Sequence, residues 1–174
     1  GCMEVLLGIE QDSCTPAPVP DWADYWIGSV HHLPDRQDPE RYYSVDWDLP
    51  MLRTGCEALA GGDYLALAER YFADVAVMAA RRPTVLGHID LITKLNTALF
   101  DEDAPRYRSA ALAALSAADP QATLLEINTG AMARGYRTTP YPALFLLRAW
   151  RERGGRIILT ADAHAAGAVL FAYE

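Results

Sequence analysis

Cysteine is scarce in this sequence: Cys2, Cys14 and Cys56 are the only three in 174 residues, and no two of them form a CxxC pair. An odd, widely spaced set excludes a disulfide framework and a cysteine-built zinc site, so reduced packing residues are expected. No uninterrupted apolar run approaches the roughly 20 residues of a membrane-spanning helix, and no basic stretch leads into an apolar one at the start. A soluble, cytoplasmic protein is expected. Positive charge is also in deficit, with 15 Lys and Arg against 23 Asp and Glu, a formal net charge of -8. Such a surface lacks the basic footprint that phosphate-backbone binding needs, which excludes nucleic acid as a partner. Repeats and low-complexity segments are absent as well.

What is present is apolar material, 51% of the residues, enough for one sizeable core and one domain over residues 1–174. The apolar residues fall into short runs and longer periodic stretches. Five runs read as strands: Glu4 to Glu10, Tyr25 to Val30, Thr84 to Ile89, Thr123 to Ile127 and Arg156 to Thr160. Between them, apolar residues recurring every three or four positions predict helices from Leu49 to Gly61, Asp63 to Arg82, Ala104 to Ala118 and Tyr141 to Arg153. Asp63 is the expected N-cap of the second. Residues after His32 through Asp48 read as a polar loop, and Ala165 to Glu174 as the beginning of another helix. Strands alternating with helices imply an α/β fold with parallel strands, and strands apolar along their length imply burial on both faces.

Each strand candidate delivers a metal-competent or polar group at or just past its C-terminal end. These are Glu10, His31, His88, Glu126 with Asn128, and Asp162 with His164. Loops converge at that edge in barrels and doubly wound sheets, so residues distant in sequence can meet there. Mixed imidazole and carboxylate donors suit zinc, iron or manganese better than an all-oxygen ion. A carboxylate such as Glu10 can bridge two ions in a geometry that activates water against a phosphoryl group.

The ordered set Gly8-Ile9-Glu10, Ile27-Gly28-Ser29-Val30-His31-His32, Leu86-Gly87-His88-Ile89-Asp90-Leu91, Leu125-Glu126-Ile127-Asn128-Thr129-Gly130, Tyr141-Pro142 and Thr160-Ala161-Asp162-Ala163-His164 resembles the polymerase-and-histidinol-phosphatase (PHP) family, in its histidinol-phosphatase branch. The resemblance implies a distorted TIM-like barrel of about seven strands with up to three divalent metals at its mouth. It also implies hydrolysis of a small phosphate ester, L-histidinol phosphate, by a metal-bound hydroxide. In that pattern Glu10 bridges two metals, His31 and His88 complete the second metal's shell, Asp162 serves the first and His164 the third. Asp90 either orients the His88 imidazole or caps the segment after it. A phosphate dianion also needs fixed cations, for which Arg134 and Arg137, with Lys94 behind them and Asn128 nearby, are the candidates. His32 either touches the substrate or donates a proton to the leaving alkoxide, with Asp162 as the other catalytic group, or supports the site from behind. Asp46 and Asp48 are read equally well as substrate contacts or as loop and capping residues.

The chain also departs from the family pattern. No histidine precedes His31, so the family's opening His-x-His strand has no counterpart, and the chain ends soon after His164. A complete barrel commonly has about 250 residues. The expectation is therefore a partial barrel with about five parallel strands, one well-furnished metal position (Glu10, His31, His88), weak or no activity alone, and an open sheet edge able to pair with another chain. Two other readings are a PHP-type phosphoesterase for another ester or nucleotide, and an inactive remnant serving in binding or assembly.

Overall fold

The computed structural model describes residues 4–38 and 40–173. Its framework is a five-stranded sheet of β1 (Gly8–Asp12), β2 (Tyr25–Ser29), β5 (Val85–Leu86), β6 (Leu124–Asn128) and β7 (Arg156–Thr160), in that spatial order and parallel throughout. Five parallel strands, joined through helices from β2 onward and by a loop between β1 and β2, are the α/β pattern expected. The sheet is open: β1 and β7 are its two edges. Between β2 and β5 the chain forms a short antiparallel hairpin, β3 (His32–Pro34) with β4 (Tyr42–Ser44). It then forms α1 (Leu49–Ala60) and α2 (Tyr64–Ala80). α3 (Pro105–Ser116) links β5 to β6, while the one-turn α4 (Gly130–Ala133) and α5 (Leu144–Glu152) link β6 to β7.

The helices begin and end where the side chains can cap them. The Asp63 carboxylate accepts the Leu65 and Ala66 amides at the start of α2, and Asp48 accepts the Met51 amide at the start of α1. Gly61 closes α1 with a left-handed φ of 58°. Asp48 is thus a capping residue, one of its two expected roles.

The core lies between the sheet and the α2/α3 layer. Tyr71, Phe72 and Tyr107 meet edge to face at 5.3 Å in successive pairs, among the fully buried Leu52, Leu67, Met78 and Leu86. Each such leucine or methionine contributes about 1.5–3 kcal/mol of burial. Cys56 joins this core, whereas Cys14 is half-buried with its thiol donating to the His32 carbonyl. Cys2 lies outside the described residues.

Four expectations are corrected. The first strand runs Gly8–Asp12, later than expected, and Val5, Leu6 and Leu7 before it are exposed at 56% or more. β7 keeps its expected bounds but leaves Ile157 and Leu159 exposed. An apolar run reports propensity and not the number of neighbours. An edge strand covered on one side stays wet, so burial on both faces holds only for the centre of the sheet. The polar loop after His32 contains the β3/β4 hairpin, built around the buried Leu33 and Tyr43, because three-residue strands are too short to show a period. The expected terminal helix is a single 3-10 turn, Ala166–Ala168, whose neighbourhood is tied down by Thr129 donating to the Phe171 carbonyl; Glu174 lies outside the described residues. No helix among the described residues is long and apolar enough to cross a membrane.

Candidate metal centre

Side chains alternate across a strand, so Glu10 and Asp12, two apart on β1, face the same side. In the parallel register Glu10 lies beside Ile27 and Asp12 beside Ser29, which brings both carboxylates to the end of β2 where His31 follows. Next in the sheet, β5 is only two residues long, and Gly87 after it still donates its amide to the Gly28 carbonyl at 3.0 Å before the chain delivers His88. A Cβ on residue 87 would lie 2.6 Å from Ser29 Oγ, so glycine is required there.

The result is a triad. His88 Nε2 is 3.1 Å and His31 Nε2 3.7 Å from Glu10 Oε1. One ligating atom from each residue lies within 4.8 Å of the other two. The imidazole rings meet edge to face at 4.8 Å. Ser29 Oγ donates to Glu10 Oε1 at 2.6 Å, and the His88 amide donates to the buried Glu126 carboxylate, which also accepts from Thr160 Oγ1. Glu126, noticed in the sequence only as a strand-end group, holds the floor of the centre. Burial disfavours the Glu10 carboxylate, yet hydrogen bonds from His88 and Ser29 and the charge of His31 outweigh it and hold the group at about 2. Burial likewise opposes a charged His88, but Glu10, Glu126 and Asp162 outweigh it and raise the imidazole to about 9.

All five ligands expected from the sequence line one cavity of about 550 Å³. Glu10, His31 and His88 share it with Asp162 and His164. Asp46, Trp47, Lys94, Arg134 and Tyr136 complete the wall. Asp162 has a left-handed φ of 44°, and Gly130 makes room for it, since a Cβ there would meet Asp162 Cβ at 2.9 Å. Its carboxylate is paired with Arg134 Nη2 at 3.0 Å, while His164, largely exposed, has its Nδ1 2.8 Å from the Asp162 carbonyl. Lys94 reaches the cavity while paired with Asp46 at 2.9 Å.

The remaining candidates lie elsewhere. Arg137 turns into a neighbouring pocket, where it lies over the Tyr141 ring and donates to the Thr93 carbonyl. Asn128 is buried and accepts the Gly130 amide, shaping the loop after β6. His32 is half-exposed on β3 with Nδ1 3.2 Å from Asp12. Asp90 takes neither of its expected parts. It is fully buried and accepts the Ala143 amide at 2.8 Å, the 3-10 turn after it has no side-chain cap, and His88 Nδ1 has no hydrogen-bond partner among the described residues. Asp12, past the expected strand end at Glu10, is a further residue of the centre, and its two-residue spacing from Glu10 is the signal the sequence carries for it. The donor set of two imidazole nitrogens and a carboxylate oxygen, converging within one ion's reach, fits a divalent transition metal.

This fold and donor set define an α/β protein with a candidate divalent-metal centre at the C-terminal edge of its parallel sheet. No family model matches the chain. It is similar to a protein of Deinococcus radiodurans named probable histidinol-phosphatase, 35% identical over 161 residues, which cover 88% of this chain and 52% of that protein. It is also similar to a Schizosaccharomyces pombe protein of the same name, 26% identical over 149 residues, covering 81% of this chain and 44% of the relative. The chain thus spans about half the length of the curated relatives it matches. A crystal structure of a Listeria monocytogenes protein described as a candidate histidinol phosphatase superposes with a TM-score of 0.72 at 15% identity, over 87% of this chain and 57% of that one. At that identity the likeness is one of fold.

Proposed function

We propose that this chain carries the metal centre of a PHP-type phosphomonoesterase, with L-histidinol phosphate as its substrate, inside a partial barrel of that family. The observation that carries the reading is the Glu10, His31 and His88 triad opening into a cavity that also presents Lys94 and Arg134. The names of the two curated relatives support the choice of substrate.

Glu10, His31 and His88 would hold one cation, with Asp162 and His164 across the cavity as further donors. A bound zinc, manganese or iron ion supplies Lewis-acid activation of a water and neutralises phosphoryl charge. The chain's own groups do the rest. Ser29 keeps Glu10 Oε1 turned toward the two imidazoles. Lys94 and Arg134 offer fixed positive charge to phosphate oxygens, Arg134 by exchanging its Asp162 partner for them. Asp162, which lines the cavity as His32 does not, would accept a proton from the attacking water and return it to the leaving alkoxide. Localisation in the cytoplasm fits a small, water-soluble ester.

The test is phosphate release from L-histidinol phosphate and from an aryl phosphate, with Mn2+, Zn2+ or Fe2+ supplied. Faster turnover of histidinol phosphate by about tenfold or more, a difference of about 1.4 kcal/mol in barrier, is expected. Equal slow release from both esters overturns the substrate, and failure of the chain to bind any of the three ions overturns the class.

A further inference from the structure

We infer that Asp12 is a positioning residue of the candidate metal centre: its Oδ2 locks His31 in the Nδ1–H tautomer, leaving Nε2 as the lone-pair donor that faces Glu10. The metal-binding half of this inference rests on the reading just given, while the tautomer stands on the free protein alone.

The geometry is specific. Asp12 Oδ2 accepts the His31 backbone amide at 2.8 Å and lies 3.1 Å from His31 Nδ1, and the same oxygen is 3.2 Å from His32 Nδ1. The other oxygen, Oδ1, accepts the Cys14 amide at 2.9 Å. The Asp12 side chain is only 16% exposed. An ionised carboxylate only accepts hydrogen bonds, so the nitrogen facing it must carry the proton. For His31 that nitrogen is Nδ1, and neutral imidazole then has its lone pair on Nε2, the atom 3.7 Å from Glu10 Oε1. Burial opposes the Asp12 charge, but the hydrogen bonds from His31, Cys14 and His32 outweigh it and keep the carboxyl well below the ordinary carboxylate range. Asp12 therefore does for His31 what no residue does for His88, whose Nδ1 has no partner among the described residues.

An amide cannot replace this carboxylate. In Asp12→Asn, an amide oxygen turned to the Cys14 N–H places the NH2 group against the His31 amide and Nδ1, driving the His31 proton to Nε2. The opposite orientation sets the NH2 against the Cys14 N–H. Asp12→Glu keeps the charge but displaces it by one methylene.

The experiment has two readouts. Calorimetric titration with Mn2+ alone should give affinity 10–100-fold weaker in Asp12→Asn than in the unsubstituted protein, the range for losing an orienting partner behind a histidine ligand, with Asp12→Glu between them. Long-range 1H–15N correlation spectra of the imidazoles, recorded without metal, should show His31 as the Nδ1–H tautomer in the unsubstituted protein and not in Asp12→Asn. An Nε2–H tautomer in the unsubstituted protein overturns the inference even if Asp12→Asn does not fold, as does unchanged Mn2+ affinity in a folded Asp12→Asn. If the unsubstituted protein binds no Mn2+ but shows the expected tautomer, the metal reading fails and the positioning role stands.

Discussion

The two walls of the cavity are furnished with similar residue types and built very differently. On one wall, Glu10 from within β1 and His31 and His88 from just past β2 and β5 converge within 4.8 Å and are braced by Ser29, Asp12 and Glu126. On the other, Asp162 and His164 belong to one short segment after β7. The Asp162 carboxylate is engaged by Arg134, and the His164 ring is bonded back to the Asp162 carbonyl. His31 and His88 on the braced wall follow β2 and β5, which have neighbours on both sides, and Glu10 reaches them from the edge strand β1 through its pairing with β2. The other follows an edge strand. Carboxylate and imidazole groups are thus pre-organised on one wall and locally engaged on the other.

This contrast can be broken by deleting one histidine from each wall. His88→Gln should weaken Mn2+ binding by more than about 100-fold, beyond the range for losing an outer partner, because it removes a buried donor. An effect under tenfold in a calorimetric titration would mean that the triad is not the primary binding position. A smaller effect sharpens the electrostatics of the braced wall. His88 is raised from 6.5 to about 9, so its contribution to stability is fully present below about pH 6.5 and lost as pH rises through about 9. Glu10 is lowered from 4.5 to about 2, so its contribution is present above about pH 4.5 and lost as pH falls through about 2. Chelated protein should therefore lose stability to urea between about pH 6.5 and about pH 9, and His88→Gln should flatten that slope. A slope unchanged in the variant would detach it from His88. The smallest effect belongs to the far wall: His164→Ala should alter Mn2+ affinity by less than about threefold, as befits an exposed side chain engaged locally. A loss as large as that of His88→Gln would place the ion between the walls.

Much of this was legible in the sequence. The strand-end pattern points to all five residues, Glu10, His31, His88, Asp162 and His164, that line the cavity, and the β7 bounds and the Asp63 cap are plain in the sequence. What escaped the sequence depends on lateral neighbours. Asp12 and Glu126 matter because parallel strands set them beside His31 and His88, a relation that no window along the chain contains. Arg137 shares a loop with Arg134, yet it turns onto Tyr141 because an aromatic face and the Thr93 carbonyl await it there. The exposure of Val5 to Leu7 has the same origin, since apolar patterning is blind to whether a strand has one neighbour or two.

The hydrogen bond between His88 and Glu10 spans 78 positions of the chain. Closing so long a loop carries an entropic cost, and the bond forms only where β1, β2 and β5 lie side by side. A cation gripped by the triad recognises only the finished topology. By mass action an ion at a hundred times its dissociation constant adds about 2.7 kcal/mol to the native state, making the centre a thermodynamic clasp on the crossover connections as well as a place for chemistry.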